Sequence, residues 1–460
     1  MIKNFHNIHF IGIGGAGMSA IAYVLLKRGY HVSGSDLAQG RMSAHLAQEG
    51  ATIYIGHKAE QVEHADAVVI STAIHQDNPE LVAAKAKGIP VLHRSDVLAA
   101  ILNDAAGVAV AGAHGKTTTS AMISCIAAEG GVDPTVVIGG EVSSLGGNAR
   151  NGNGRFVVAE ADESDGSFLK FHPFLAVVTN IENDHMDHYG TEENIYAAFK
   201  QFLENIQPGG KAILCIDNAK VKRLAGETSA QVITYGLEDS GADYTARDIR
   251  YNANGTVYSL YAGGSFVTEV MLTVPGRHNV LNSLGAFAAG REMGVAVDSI
   301  LASLHKFGGA KRRFETKGRV GGVWIVDDYA HHPTEIGVTL KAARQTQPQR
   351  LICVFQPHRY TRTQLLFNEF CGCFEGCDKL ILTDIYSAGE DPIEGVSSKA
   401  LAEGIKSRGQ QVEYIPALAG VETCLKECAA AGDLIMTIGA GDVYKVGEHL
   451  VEEMRAKENE

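Results

Sequence analysis

The sequence predicts an α/β protein built from three consecutive α/β domains. Three observations carry this. The chain has 460 residues, which at about 150 per domain gives three. Short apolar runs alternate with helical patterns, the mark of parallel sheets with crossover helices. That alternation restarts after breaks near Asn103–Gly107 and Gly308–Lys311, so domains are expected at 1–105, 106–310 and 311–460.

The elements follow in order. HNIHFIGIG is a strand, AGMSAIAYVLLKRG a helix and HVSGSD a second strand, with further strands in ADAVVISTAI and IPVLH. The second block opens with the strand GVAVAG and the helix GKTTTSAMISCIAAEGG. Strands RFVVAEADES and FLAVVTNIENDH follow, both ending in charged residues. Residues 243–274 alternate apolar and polar side chains around Asn-Gly and Gly-Gly turns, which predicts antiparallel hairpins at a sheet edge. NVLNSLGAFAAGREMG resumes as a helix. The third block has strands GVWIVDD, RLICVFQ, KLILTDI and DLIMTIG, and VEEMRAKENE reads as the fraying end of a last helix.

Composition narrows the function. Hydrophobic residues make up 45% and charged residues 20%, which excludes wholesale disorder. The net charge of −13 argues against a general binder of nucleic acid or anionic membrane, while leaving room for a local cationic pocket. No run reaches the ~18 apolar residues of a membrane span. The N-terminal apolar stretch is short and breaks into glycines, unlike a signal peptide, so a cytoplasmic protein with reduced thiols is expected. Among its eight cysteines, Cys371, Cys373 and Cys377 follow C-x-C-x3-C in what reads as an amphipathic helix, RTQLLFNEFCGCFEG. Cys424 and Cys428 are i, i+4 on another helix, so core or surface thiols are expected rather than a zinc site.

Two glycine-rich turns carry chemistry. Gly12-Ile-Gly14-Gly15-Ala-Gly17 is G-x-G-x-x-G between a strand and a helix, and Asp36 ends the next strand. The glycines admit a diphosphate to the helix N-terminus and the acid suits a ribose hydroxyl. The pattern alone fits NAD, a UDP-sugar, or a tight turn without ligand. Gly112-Ala113-His114-Gly115-Lys116-Thr117-Thr118 is a shortened P-loop, G-x-x-G-K-T, again between strand and helix. There Lys116 reaches the terminal phosphates of ATP and Thr117 can ligate Mg²⁺. Two phosphate turns in separate domains disfavour a plain dehydrogenase.

Ligands of open α/β sheets sit beyond the C-terminal ends of strands. Glu160, Asp162, Glu163 and Asp165 follow one such strand, and Glu182, Asp184, His185, Asp187 and His188 follow another. One residue of each cluster is expected at the ion. The third block offers Asp327, Asp328, Tyr329, His331 and His332 after one strand, and His358, Arg359, Tyr360 and Arg362 after another. Lys311 and Arg312 read as solvated, whereas Arg359 and Arg362 read as clamps for an anion.

Taken together, GIGGAGMSAIA, GAHGKTTT, EADESDGSF, NIENDHMDHYG, GRHNVLNS, FGGAKRRFE, DDYAHHPTE, FQPHRYTRT and SAGEDP resemble the Mur ligase family over essentially the whole chain. Ala113 stands where the family more often has threonine, at a variable position of the turn. The resemblance implies a Rossmann-like N-terminal domain that binds a UDP-sugar, a P-loop ATPase-like central domain and a Rossmann-like C-terminal domain. It implies a ligase of peptidoglycan precursor synthesis, and so of cell-wall biogenesis, cell shape and division. ATP, UDP-N-acetylmuramate and L-alanine would give ADP, phosphate and UDP-N-acetylmuramoyl-L-alanine through an acyl phosphate.

By the same resemblance, Gly12, Gly14, Gly15 and Gly17 take the UDP diphosphate, and Asp36 lies near the uridine. Gly112 to Thr118 take the ATP phosphates. Thr117 and Glu160 ligate one Mg²⁺ and His185 a second. Asn279 and Asn282 approach the adenine nucleotide, and Arg313 and Asp328 reach the γ-phosphate and ribose. Lys116, Glu160, His185 and Arg313 form the catalytic set. His331, His358, Arg359 and Arg362 are assigned to the alanine and muramyl carboxylates. Domain closure about the 307–314 stretch is expected, which would exclude water from the acyl phosphate. The partners implied are small molecules only, with no nucleic acid or membrane, in a monomer or homodimer.

Rival readings remain. One is the recycling ligase joining UDP-N-acetylmuramate to a preformed tripeptide, whose first turn departs from GIGGAGMS. The D-glutamate and diamino-acid ligases carry a carbamate lysine, for which no motif is seen here, and the folate polyglutamate ligases lack the N-terminal turn. An NAD oxidoreductase rests on the first turn and Asp36 alone, and a non-enzymatic ATP switch leaves the third-block residues without purpose.

Overall fold

The structure, a computed structural model, describes residues 2–183, 185–237, 241–252 and 255–458. Asp184, Asn254 of the expected Asn-Gly turn, and the last two residues of the tail lie outside the described residues.

The first sheet contains β1 (Asn7–Ile11), β2 (His31–Asp36), β3 (Thr52–Ile55), β4 (Ala67–Ile70) and β5 (Val91–His93), with helices α1 (Ala16–Lys27), α2 (Arg41–Gln48), α3 (Pro79–Ala86) and α4 (Arg94–Asn103) between strands and after β5. Its order is β3-β2-β1-β4-β5, parallel throughout, so the order reverses between β1 and β4 above the first glycine turn. Local sequence sets the helix starts. Asn78 caps α3 ahead of Pro79, and Asp96 reaches back to the His93 amide at 2.8 Å to close α4.

The central sheet has ten strands. They are β6 (Ala106–Ala111), β7 (Thr135–Val142), β8 (Gly147–Arg150), β9 (Phe156–Glu160), β10 (Leu175–Val178), β11 (Lys211–Cys215), β12 (Gln231–Gly236), β13 (Tyr244–Asn252), β14 (Gly255–Ala262) and β15 (Ser265–Leu272). Helix α5 (Lys116–Glu129) follows β6, and α6 (Met186–Tyr189) and α7 (Glu192–Glu204) follow β10. Helix α8 (Ala219–Glu227) precedes β12, and α9 (Arg277–Glu292) and α10 (Val297–Lys306) follow the last strand. The order is β15-β14-β13-β12-β11-β10-β6-β9-β7-β8. Residues 243–272 thus form the expected strands at one edge. The P-loop strand β6 runs parallel between β10 and β9.

The third sheet is built from β16 (Glu315–Val320), β17 (Val323–Asp328), β18 (Arg350–Phe355), β19 (Lys379–Leu382), β20 (Val412–Tyr414) and β21 (Asp433–Ile438). Its helices are α11 (Pro333–Gln345), α12 (Tyr360–Leu365), α13 (Phe367–Phe370), α14 (Ser398–Ser407), α15 (Leu418–Cys428) and α16 (Tyr444–Glu458). The order is β16-β17-β21-β18-β19-β20, with β16 antiparallel on the edge and the rest parallel. Apolar clusters fill both faces of this sheet.

By contacts the chain forms two units. One is Met1–Arg247 with Ser259–Val270 and Leu281–Phe307, and the other is Asp248–Tyr258 with Met271–Val280 and Gly308–Glu460. In the first, one apolar cluster runs from β1 and α1 through β6, β9 and β10, and a smaller one gathers Ile11, Val62, Val68, Leu81 and Ala84.

Several expectations change. Strands β3, β7, β8, β11, β12, β16 and β20 were not anticipated. The charged ends of RFVVAEADES and FLAVVTNIENDH are loops, because β9 stops at Glu160 and β10 at Val178. The helix read through RTQLLFNEFCGCFEG breaks at Leu366 and ends at Phe370, so Cys371, Cys373 and Cys377 lie in the turns beyond, around Gly372 and Gly376. Gly376 takes a left-handed φ of +90°, which a helix cannot continue. All eight cysteines are free, and among the described residues no group of three or more His, Cys, Asp or Glu side chains is disposed to hold a metal. Arg312 is not solvated: its Nε donates to buried Asp327 at 3.0 Å and its guanidinium lies against Tyr329 and Tyr444.

Candidate active site

The first glycine turn is pinned from below. The amides of Gly12 and Ile13 both donate to the Ser35 carbonyl, at 2.8 and 3.0 Å. Asp36 accepts from the Gly14 amide through Oδ2 and from the Leu37 amide through Oδ1, each at 2.8 Å. Its first task is therefore to shape the turn. A Cβ on Gly14 would stand 2.8 Å from that carboxylate. Helix α1 starts at Gly15 with no side chain capping it, leaving first-turn amides for an anion. Asn148 of β8 donates to the Ala16 carbonyl at 2.7 Å and ties the turn to the central sheet.

The second turn joins β6 to α5. Gly112 has φ +133°, and a Cβ there would sit 2.2 Å from Thr179 Oγ1; Gly115 has φ +85°, and a Cβ there would sit 2.6 Å from Asn282 Oδ1. Only glycine fits either place. Asn180 holds the outer side, accepting from the His114 amide at 3.0 Å and donating to its carbonyl at 2.9 Å. The His114 ring lies 3.2 Å from Glu182. Asn282 also accepts from Thr119 Oγ1 at 3.2 Å, which brings α9 against the loop.

Lys116 folds back over its own turn. Its Nζ donates to the Gly112 carbonyl at 2.7 Å, lies 3.4 Å from that of Ala113, and donates to Glu163 Oε1 at 2.9 Å. Burial disfavours the ammonium, but Glu163, then Asp162 and Glu160, outweigh it and hold its pKa above the ordinary value. Burial pushes the Glu163 carboxyl up, opposed by Lys116. Next along the helix, Thr117 Oγ1 donates to Glu160 Oε2 at 3.1 Å, and Thr118 follows. Glu160 Oε1 accepts from the Gly139 amide at 2.7 Å and from Ser120 at 3.4 Å. His185, in a left-handed conformation at φ +55°, sits 3.7 Å from Glu163 Oε1.

The third sheet gathers a second set of residues. Asp328 ends β17 and accepts from the amides of Phe314 and Ala330, both at 2.8 Å. Burial, opposed by Arg313, lifts its carboxyl to about 6. Arg313 lies 3.8 Å from Glu335. His331 Nδ1 approaches the Tyr329 carbonyl at 3.0 Å, and its ring centre is 6.0 Å from that of His358. His358 stacks on Tyr386 at 5.7 Å and takes an Arg362 Nη1–H at Nδ1 over 3.0 Å. Burial, then Arg362, depress His358 to about 4, so the ring is neutral and its Nδ1 free to accept. Arg359 leans away toward Glu390, 3.9 Å off, with half its side chain exposed. Asn279 donates to the Pro275 carbonyl at 2.7 Å.

The structure thus brings together Lys116, Thr117, Glu160, His185 and Asn282 with the P-loop, and His331, His358 and Arg362 with one another. Asn180 and Gly139 were not singled out in the sequence, and Glu163 was named there only as one of an acidic cluster. Glu163 carried a signal, standing in the acidic run after β9. Gly139 carried none, because its contact with Glu160 depends on β7, a strand that was not anticipated.

A parallel sheet ending in a glycine-rich turn, beside a second sheet ending in a P-loop with a threonine–carboxylate pair, is the framework of a nucleotide-dependent α/β enzyme. The comparisons narrow the class. Family models match at 7–106 (Mur ligase family, catalytic domain), 110–290 (Mur ligase middle domain) and 312–441 (Mur ligase, glutamate ligase domain). The chain belongs to the Mur ligase family. It is 48% identical to the UDP-N-acetylmuramate–L-alanine ligase of Pelotomaculum thermopropionicum, covering 100% of this chain and 99% of that one. The crystal structure of the UDP-N-acetylmuramate–alanine ligase of Thermotoga maritima superposes with a TM-score of 0.85 at 29% identity, covering 98% and 99% of the two chains. A murein peptide ligase from Psychrobacter arcticus shares the fold, with a TM-score of 0.71 at 24% identity over 97% and 98%.

Proposed function

We propose that this protein joins L-alanine to UDP-N-acetylmuramate at the expense of ATP, giving UDP-N-acetylmuramoyl-L-alanine, ADP and phosphate. The observation that carries the reading is full-length identity of 48% to a ligase of that name, with both phosphate turns intact. The recycling reaction with a tripeptide has weaker support, since the murein peptide ligase likeness stops at the fold.

In this reading the domains divide near residues 105 and 310. Gly12 to Gly17 seat the UDP diphosphate, and Asp36 fixes the turn beside the uridine. The P-loop amides and Lys116 hold the β- and γ-phosphates of ATP. Thr117 and Glu160 would hold Mg²⁺, and His185 a second ion. The fit rests on the donor set, a hydroxyl and a carboxylate 3.1 Å apart, hard oxygens suited to an ion that retains most of its water. When bound, such ions neutralise charge on the transferring phosphate.

The muramyl carboxylate attacks the γ-phosphorus, the bond to ADP breaks, and an acyl phosphate forms. The alanine amine then attacks its carbonyl and phosphate departs. Lys116 and Arg313 counter the charge that develops on the phosphoryl oxygens. Asn279, Asn282 and Asp328 position the nucleoside. Arg362, Arg359, His358 and His331 receive the carboxylates, where neutral imidazoles add hydrogen bonds without extra charge. Among the described residues no helix is long and apolar enough to cross a membrane. In this reading the reaction is cytoplasmic, where ATP and UDP-sugars are at hand.

The test is phosphate release from ATP and Mg²⁺ with UDP-N-acetylmuramate present and each amino acid tried in turn. Release that needs both the UDP-sugar and L-alanine is expected. Release with a tripeptide in place of alanine would move the function to recycling, and release with no acceptor would overturn the ligase reading.

A further inference from the structure

Arg94 opens α4, the position where a helix least favours a cation, because the amide dipoles already make its N-terminus positive. An arginine placed there adds charge to charge, which suits a site that awaits an anion. Its surroundings say which anion.

Arg94 Nη1 stands 3.3 Å from the point a Cβ on Gly17 would occupy, so the guanidinium borders the first glycine turn at the last glycine of G-x-G-x-x-G. On its other side Nη2 donates to Asp162 Oδ2 at 2.9 Å. Asp162 is itself fixed, accepting the Ser164 amide through Oδ1 at 3.1 Å. Among the described residues Asp162 is the one acceptor the guanidinium has, and the Nη1 edge facing Gly17 has none. The fork is therefore half used, with its free half turned toward the uncapped start of α1.

We propose that Arg94 is the cation that grips the diphosphate of the UDP-sugar at the first glycine turn, and that Asp162 holds it in place between substrates. This rests on the turn being the UDP-sugar site. A planar fork suits the task, since it can bridge two phosphate oxygens while the helix amides take the others. Diphosphate and Asp162 then compete for one guanidinium. Removing either partner of the pair should act in opposite directions on UDP-sugar binding. A merely structural bridge would make both variants worse alike.

The experiment is calorimetric titration of the full chain with UDP-N-acetylmuramate in the absence of ATP, for wild type, Arg94→Gln and Asp162→Asn, with a parallel titration by ATP. Arg94→Gln is expected to weaken UDP-sugar binding about tenfold or more while ATP affinity stays within twofold. Asp162→Asn is expected to bind the UDP-sugar as tightly as wild type or tighter. Wild-type affinity in Arg94→Gln, or equal weakening in both variants, overturns the role of Arg94. Failure of the wild type to bind the UDP-sugar overturns the reading of the turn itself and the proposal with it. Should Arg94→Gln not fold, Asp162→Asn decides, since weaker binding there is incompatible with competition.

Discussion

Lys116 Nζ lies 2.9 Å from Glu163 Oε1, and that carboxylate is 1% exposed. Its second oxygen, Oε2, is buried without a hydrogen-bond partner. The P-loop lysine thus meets a counter-charge that belongs to the protein and is held out of water. Glu163→Gln should leave a buried ammonium facing a neutral amide and cost about 3 kcal/mol of stability, read as a lower urea midpoint. The double variant with Lys116→Met should recover much of that loss, because the unpaired charge is gone.

Gly139 has no side chain because Glu160 occupies the space. A Cβ there would stand 3.0 Å from Glu160 Oε2, while the Gly139 amide donates to Oε1. Its φ is one any residue can adopt, so Gly139→Ala should fold and displace only the carboxylate. We expect the Mg²⁺ concentration for half-maximal activity to rise about tenfold, with Mn²⁺ binding measured by electron paramagnetic resonance weakened in parallel.

Asp328 gives a pH signature. Burial raises its carboxyl from the usual 3.8 to about 6, so the folded protein holds a proton that the unfolded chain has released. Its contribution is most favourable below pH 4 and falls as pH rises to about 6, by about 3 kcal/mol at 1.36 kcal/mol per unit. Asp328→Asn should remove that slope. Comparing urea midpoints of the two proteins at pH 4.5 and 7 checks it: the variant should lose less, or gain more, between them than wild type.

Arg362 meets His358 at 3.0 Å with a planar group. Lysine in its place keeps the charge and loses the fork. Arg362→Lys should raise KM for L-alanine or the UDP-sugar about tenfold and leave the KM for ATP near wild type. A change confined to ATP would remove Arg362 from the carboxylate site.

Much of this was legible in the chain. The strands that carry the site, β1, β6, β9, β10, β17 and β18, are strongly apolar, with glycines or polar residues at or just beyond their ends. What escaped notice had weak patterns. β3 reads TIYI yet is largely exposed at an edge, β20 has three residues, and β7 contains Gly139 and Gly140 where a strand favours bulk. The cysteine helix failed because the apolar spacing continued past the point where glycines turn the backbone. Residue types announced the P-loop and the acidic clusters. They could not announce that Asp36 is used by Gly14, or that Asn180 holds His114, since both bonds depend on which strands are neighbours.

The position of β6 also sets a timetable for synthesis. This strand leaves the ribosome early, ending at Ala111, but its neighbours β9 and β10 end at Glu160 and Val178, and Thr179 and Asn180 come just after. Non-local parallel pairing of this kind forms slowly and only once the later strand exists. A nascent chain shorter than about 180 residues carries the P-loop sequence in full and still lacks the strands that flank β6. The loop that is proposed to hold the nucleotide is therefore completed only once residue 180 has been made, after the first sheet can close around its own glycine turn.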